Sequence, residues 1–98
     1  MSKLYLAGRM SHLPQHNFPR FHQEAARLRS LGFEVINPAE INADETNWLL
    51  CMRADIHALI ECDGIALLEN WELSRGARLE LEIAQRLGLT INLCSELI

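Results

Sequence analysis

Short apolar segments alternate with longer amphipathic segments along the whole of this 98-residue chain. Residues 3–7, 33–36, 64–68 and 90–94 are apolar runs of strand length. The segments between them repeat apolar side chains every three or four positions, as helices do. The order βαβαβαβ predicts a parallel sheet with helices on both faces and right-handed crossovers. We expect an α/β fold, a small flavodoxin-like or Rossmann-like three-layer sandwich around a four-stranded parallel sheet.

Capping and turn residues mark the ends of these segments. Asn17 is suited to cap the first helix and Gly32 to end it, and Ser74 is suited to cap the third helix. Asn37 and Pro38 follow the second strand, and the restricted backbone before a proline predicts that no helix begins directly there. The sequence therefore predicts three helices, over about residues 17–32, 45–61 and 74–88, each connecting two strands of one sheet.

Length and composition limit the class of protein. A chain of 98 residues has room for one domain, residues 1–98, and its 49% apolar and 22% charged residues exclude a disordered chain. Its net charge of −4 disfavours a polymeric nucleic acid as partner. We expect no membrane partner and a cytoplasmic location, because the sequence has no apolar run of about 20 residues and no signal peptide at its start.

The predicted sheet topology locates a ligand cleft. In open parallel sheets, ligands bind beyond the carboxyl ends of the strands where the strand order reverses, here between the first and third strands. Gly8 and Arg9 would then face residues 69–76. Ser74 and Gly76 offer a hydroxyl and free amides at a helix N-terminus, which suits a phosphate group. The alternative is a capping serine and a turn glycine, with Gly8 also a simple turn.

Glu80 is the most informative single residue. It shares a helical stripe with Ala77, Ile83, Ala84 and Leu87, at spacings of three, four and seven residues, so its carboxyl group points toward the core. Burial of an ionised carboxylate costs several kcal/mol unless the group is partnered. Either Glu80 is a functional acid, or it bonds backbone amides or an arginine.

Asp55 repeats this anomaly on the preceding helix. It lies on the same helical stripe as three apolar side chains, those of Trp48, Met52 and Leu59. Two inward carboxylates that flank a cleft are the minimum equipment for glycosidic chemistry, in which one acts as nucleophile and the other as acid or base. The alternative for Asp55 is a salt bridge to Arg53 or Arg9.

The other chemically capable side chains carry weaker signals. Trp71 lies in the loop at the expected cleft, where it could stack on a base or cover the core. His12 and His16 are four residues apart, but Pro14 between them argues against a shared helical face, so we expect no metal site. The cysteines lack a C-x-x-C spacing and are expected to be reduced core thiols: Cys51, Cys62 and Cys94.

Four segments in a fixed order carry a resemblance to a known family. They are LYLAGRM at residues 4–10, ADI at residues 54–56, CDGIA at residues 62–66 and the pattern S-x-G-x-x-x-E at residues 74–80. With them, almost the whole chain resembles the nucleoside 2-deoxyribosyltransferase superfamily. That superfamily includes 2'-deoxynucleoside 5'-monophosphate N-glycosidases and many small phage-associated proteins, and residues 69–73 look like the phage-associated subgroup.

The resemblance implies roles for individual residues. Glu80 matches the nucleophile that attacks the anomeric carbon, and Asp55 matches the acid that assists departure of the base. Tyr5 matches a strand tyrosine whose hydroxyl lies beside the nucleophile. Ser74 and Gly76 match the positions that hold the 5'-phosphate in the monophosphate-specific members. Gly8 and Arg9 match the first loop, which contacts the nucleotide.

The resemblance also implies an activity. We expect cleavage or transfer of the N-glycosidic bond of a deoxynucleoside or its 5'-monophosphate through a covalent glycosyl-glutamate, without a cofactor. The partner would be a small nucleoside or nucleotide, and the relatives predict a homodimer. The alternative is a phage-derived protein that binds and sequesters a nucleotide without chemistry.

Overall fold

Four parallel strands form the sheet of residues 2–98, the part of the chain that the computed structural model describes. They are β1 (Lys3–Ala7), β2 (Glu34–Ile36), β3 (Gly64–Leu67) and β4 (Thr90–Leu93). The strands lie in the order β2-β1-β3-β4, and each neighbouring pair is parallel. The predicted α/β sandwich is therefore confirmed, and the strand order reverses between β1 and β3 as expected.

Helices cover both faces of this sheet. They are α1 (Phe18–Ser30), α2 (Pro38–Ile41), α3 (Trp48–Leu59) and α4 (Arg75–Arg86). α1 and the start of α2 pack on one face, and α3 and α4 pack on the other. None of the helices in residues 2–98 combines the length and the apolar composition needed to cross a bilayer.

The alternation of side chains along β1 decides which residues reach which layer. Leu4 and Leu6 pack in the core beneath α1, whereas Tyr5 and Ala7 pack in the core beneath α3 and α4. Successive side chains on a strand point to opposite faces, so Tyr5, between Leu4 and Leu6, faces α3 and α4. Its side chain is completely buried there.

The start of α2 corrects one prediction. A helix does follow Asn37 and Pro38 directly, and the side chain of Asn37 caps it by accepting a hydrogen bond of 3.0 Å from the backbone N–H of Ala39. The extended backbone that a proline imposes on the preceding residue is also the conformation of a helix N-cap, and proline is tolerated in the first turn. The expected break is thus a helix start.

Two other helix starts also differ from the sequence prediction. Asn17 precedes α1 in a left-handed conformation (φ 59°), and its side chain donates to the backbone carbonyl of Arg9 at 2.9 Å instead of capping the helix. The second predicted helix, residues 45–61, begins only at Trp48, where the Asn47 side chain accepts from the N–H of Leu50. Ser74 caps α4 as predicted, with its hydroxyl oxygen 3.0 Å from the N–H of Ala77.

Candidate active site

A cavity of about 530 Å³ opens at the carboxyl end of β1, between the loop after that strand and the N-terminal turns of α3 and α4. It lies where the strand order reverses, the position that open parallel sheets use for ligands. Seven of the predicted site residues line this cavity: Tyr5, Gly8, Arg9, Asp55, Ser74, Gly76 and Glu80.

The hydroxyl of Tyr5 is the hydrogen-bond partner of Glu80. Tyr5 Oη donates to Glu80 Oε2 at 2.6 Å, and both side chains are buried. The helical pattern left open whether backbone amides or an arginine would satisfy this carboxyl group, whereas the family resemblance implied that the Tyr5 hydroxyl lies beside it. In residues 2–98 its recorded partner is a neutral phenol from the central strand.

Asp55 lies beside this pair and is held by a different neutral donor. The side-chain amide of Asn42, directly after α2, donates to Asp55 Oδ1 at 2.7 Å, and both residues are buried. Asp55 also lies near the Tyr5 hydroxyl, close enough for each group to shift the pKa of the other. The alternative prediction, an ion pair with Arg53 or Arg9, does not occur among the ion pairs within residues 2–98.

Burial shifts the titration of all three groups. Loss of hydration raises the pKa of Glu80 to about 8; the Tyr5 hydrogen bond opposes this shift and the charge of Asp55 adds to it. Burial also raises the pKa of Asp55 to about 6, against the hydrogen bonds from Asn42 and Tyr5. The pKa of Tyr5 lies well above its ordinary value because of burial and the two carboxylates. Near neutral pH, the two acids therefore share about one proton.

The two glycines at the cavity wall have packing roles of their own. A Cβ on Gly8 would lie 2.9 Å from the Cβ of Leu68, and a Cβ on Gly76 would lie 3.0 Å from the sulfur of Met52. Both distances are shorter than normal contacts, so each glycine allows its segment to approach a neighbouring element closely. Gly76 lets the first turn of α4 lie close to the Met52 side chain of α3.

Besides the two buried acids, the charged side chains that line the cavity are those of two arginines and of Glu45. Arg9 comes from the loop after β1 and Arg75 from the first turn of α4, and the Arg75 guanidinium lies 3.9 Å from the ring centroid of Trp48. His12 and His16 line the same cavity. No group of three or more metal-ligating side chains occurs in residues 2–98.

Trp71 does not line this cavity, although the sequence placed it at the cleft; of the two roles left open for it, its position fits the one in which it covers the core. Residues Trp71–Leu73 form a short 3₁₀ turn, and the indole packs against the core between the sheet and α4. There it borders two shallower depressions, one beside Arg78 and one beside Arg20.

Sequence reasoning did not single out Asn42, and it placed Cys51 incorrectly. Asn42 follows a helix that was not predicted, and the residues next to it in the sequence give no signal of its hydrogen bond to Asp55. Cys51 is half-buried and lines the cavity, whereas Cys62 and Cys94 are buried thiols as expected. Its exposure follows from its place on α3, one residue before the buried Met52.

The fold is similar to that of a solved 2-deoxyribosyltransferase from the psychrotolerant bacterium Bacillus psychrosaccharolyticus. The two structures superpose with a TM-score of 0.73 at 21% sequence identity, over 94% of this chain and 71% of that chain. At this identity, the likeness establishes the shared fold. None of the curated proteins matches the sequence. A family described as a domain of unknown function (DUF4406) matches residues 2–93, and the chain therefore belongs to that family.

Proposed function

We propose that this protein cleaves or transfers the N-glycosidic bond of a deoxynucleoside or of its 5'-monophosphate. The observation that carries the proposal is the buried group of Glu80, Tyr5 and Asp55 at one end of a single cavity. Two carboxyl groups with pKa values of about 8 and about 6 match the need for one charged and one protonated acid at neutral pH. The shared fold with a 2-deoxyribosyltransferase supports the same class of chemistry.

In the first step, the carboxylate of Glu80 attacks C1' of the sugar. A bond forms between the carboxylate oxygen and C1', the bond between C1' and the base nitrogen breaks, and its electron pair stays on the base. The carboxyl proton of Asp55 moves to the departing base. The products are a glycosyl ester of Glu80, the free base and the ionised Asp55.

The proton distribution of the free protein must change before this step. Glu80 has the higher pKa, so the shared proton resides mainly on Glu80 at neutral pH. The Tyr5 hydroxyl donates to Glu80 and lies near Asp55, so it stands between the two carboxyl groups as a candidate relay. It can accept the proton of Glu80 while it donates its own proton to Asp55, which leaves Glu80 charged and Asp55 protonated.

In the second step, water or a second base resolves the glycosyl ester. Asp55, now ionised, removes a proton from the incoming nucleophile, which attacks C1' and releases the carboxylate of Glu80. Water gives hydrolysis with a free deoxyribose product, and a base gives a new nucleoside. Both routes return Asp55 to its protonated form.

The other end of the cavity suits a phosphate group. Ser74 and Gly76 lie at the N-terminal turn of α4, where the helix dipole favours an anion, and Arg9 adds positive charge from the opposite loop. We therefore propose that a 5'-monophosphate binds more tightly than its nucleoside, by about tenfold or more. We further propose a cytoplasmic homodimer that acts on this small molecule and binds no polymeric nucleic acid.

One observation favours a second candidate function, the sequestration of a nucleotide by a phage-derived protein without catalysis. The raised pKa of Glu80 leaves its carboxyl group largely protonated at neutral pH in the free protein. A protonated Glu80 binds a sugar hydroxyl well but is a poor nucleophile. The second candidate therefore applies if the proton stays on Glu80 when the nucleotide binds.

A single assay separates the two candidates. The purified protein is incubated with each deoxynucleoside and each deoxynucleoside 5'-monophosphate, and the release of free base is measured by chromatography. Calorimetric titration of the same compounds gives their affinities, and Ser74→Ala tests the phosphate end. Base release supports glycosidic chemistry, and tight binding without release supports sequestration. If the protein neither releases base nor binds any of these compounds, both candidates are overturned.

A further inference from the structure

We propose that Asn42 is the positioning residue for the acid of the site, because its side-chain amide occupies one oxygen of Asp55 and leaves the other oxygen to carry the transferable proton. This inference rests on the proposed function for the destination of that proton. The contact itself is a property of the free protein.

The side chain of Asn42 is committed to Asp55. Its Nδ2 donates to Oδ1 of Asp55 at 2.7 Å, and Asn42 is only 6% exposed. The backbone N–H of Asn42 completes the end of α2 by donating to the carbonyl of Pro38 at 3.0 Å. The helix end is thus closed by the backbone, and the side chain is available to cross to α3.

This contact determines which oxygen of Asp55 bears the proton. A protonated carboxyl group has one oxygen that only accepts and one that donates. Oδ1 accepts the amide hydrogen of Asn42, so the proton is favoured on Oδ2. Every buried side-chain nitrogen and oxygen in residues 2–98 has a hydrogen-bond partner, so loss of the Asn42 amide would leave a buried carboxyl oxygen without its donor.

A neutral donor suits an acid that must exchange protons. An arginine at this place would favour the charged form so strongly that Asp55 would remain ionised at neutral pH. The groups that face Asp55 are Tyr5 from β1, Glu80 from α4, and Cys51 from its own helix. None of these three brings a positive charge, so the amide of Asn42 orients Asp55 and still allows it to be protonated.

The chain contains a matched control for Asn42. Asn37 begins the same helix that Asn42 follows, is 1% exposed, and uses its side chain to accept from the N–H of Ala39 and to contact His22. A substitution at Asn37 disturbs α2 without touching Asp55. A purely structural role of Asn42 would therefore produce the same pattern of effects as Asn37.

The test compares Asn42→Leu with Asn37→Leu by carbon-13 NMR titration of the Asp55 carboxyl carbon in the 98-residue protein. We expect the pKa of Asp55 to rise by about one unit in Asn42→Leu, because a hydrogen bond to the charged form is lost, and to stay unchanged in Asn37→Leu, which removes the cap of α2 instead. Asn42→Ala is the second variant if Asn42→Leu does not fold. It should raise the pKa of Asp55 for the same reason.

The catalytic readout uses two substrates that differ in the quality of the leaving base. Asn42→Leu should lower kcat about tenfold or more for the poorer leaving base, and less for the better one, with little change in KM. An unchanged Asp55 pKa in a folded Asn42 variant, or an equal loss of kcat for both bases, would overturn the proposal. If the parent protein releases no base, the proposed function fails, and the NMR titration still decides whether Asn42 controls Asp55.

Discussion

Two buried glutamates on opposite faces of the sheet show how differently one residue type can be accommodated. Glu24 lies on α1 and is 2% exposed, and Glu80 lies on α4 and is 4% exposed. Glu24 accepts hydrogen bonds from two arginines, at 3.0 Å from Arg27 Nε and at 3.2 Å from Arg20 Nη1. Glu80 accepts its hydrogen bond from the neutral hydroxyl of Tyr5.

The partners give the two carboxyl groups opposite titration behaviour. Burial acts to raise the pKa of both. For Glu24, the hydrogen bonds and charges of Arg27 and Arg20 outweigh burial, so its pKa is lowered. For Glu80, burial dominates and the pKa rises to about 8. Burial alone therefore does not distinguish a structural acid from a candidate functional one, and the absence of a cationic partner is the feature that separates Glu80 from Glu24.

The surroundings of Glu24 also explain its structural role. Arg27 is hydrogen-bonded to Glu24. Arg27 also donates to the backbone carbonyl of Cys94 at 2.8 Å and to that of Leu97 at 2.7 Å. Glu24 thereby connects α1 to the segment that follows β4. This network lies on the sheet face opposite the acids of the cavity, and its charges are mutually satisfied.

The largest expected effect is on catalysis. Glu80→Gln should reduce base release by on the order of 10³-fold or more while the fold remains intact, because an amide keeps the shape of the side chain but cannot form the glycosyl ester. Glu24→Gln, the same change at the other glutamate, should leave kcat within about twofold. Comparable turnover in Glu80→Gln and the parent would remove Glu80 from the nucleophile role.

The second effect is the pH dependence of stability. The pKa of Glu80 rises from 4.5 to about 8 on folding and that of Asp55 from 3.8 to about 6. The folded protein binds more protons than the unfolded chain between these values. The stabilisation from these groups is therefore complete below about pH 4 and lost as pH rises toward 8. The full shift of Glu80 from 4.5 to about 8 corresponds to roughly 5 kcal/mol, since one pKa unit corresponds to about 1.4 kcal/mol.

Urea unfolding at pH 5 and at pH 8 measures this dependence. Glu80→Gln should be more stable than the parent at pH 8 and close to it at pH 5, because the amide has no charge to bury. Glu82→Gln, on the exposed side of the same helix, serves as the control and should follow the parent. An identical loss of stability between the two pH values in Glu80→Gln and the parent would show that Glu80 does not titrate in this range.

A smaller and opposite effect is expected for the other glutamate. Glu24→Gln should reduce the free energy of unfolding by about 1–3 kcal/mol at neutral pH, because charged hydrogen bonds to Arg20 and Arg27 are replaced by weaker ones. Both arginines are partly exposed, so water limits the loss. The pKa of Glu24 is lowered, so its stabilisation is present above about pH 4.5 and is lost as pH falls further. Unfolding curves measured at pH 7 should therefore show the variant to be less stable than the parent, and curves measured at pH 3 should show the two to be equally stable.

The smallest effect concerns the neutral donor of Glu80. Tyr5→Phe removes the hydrogen bond that lowers the pKa of Glu80 and should raise that pKa further, by about one unit. Carbon-13 titration of the Glu80 carboxyl carbon measures this shift directly. A lowered pKa in Tyr5→Phe would mean that the hydroxyl stabilises the protonated form of Glu80 rather than the charged form.

The comparison also shows where a sequence argument is incomplete. Glu24 lies three residues after Phe21 and four before Leu28, so it satisfies the same apolar-stripe criterion that singled out Glu80. The arginines that distinguish it lie four residues before and three residues after, within reach on a helix. Glu80 has Gly76 and Ile83 at the matching positions. Reading those flanking positions together with the stripe separates the structural acid from the candidate functional one.

The sequence by itself determined the layer architecture and the inward direction of both cavity acids. These features follow from the alternation of short apolar runs with helical stripes, which is local information with a fixed period. The periodicity of the sequence left the partners of these acids open, and only the tertiary structure decided them, although the family resemblance already implied that Tyr5 lies beside Glu80. Tyr5 and Glu80 are 75 residues apart, and Asn42 reaches Asp55 from a helix that was not predicted. It also turned Trp71 away from the cavity. Hydrogen bonds between distant side chains depend on how separate elements pack, and no periodicity along the chain encodes that packing.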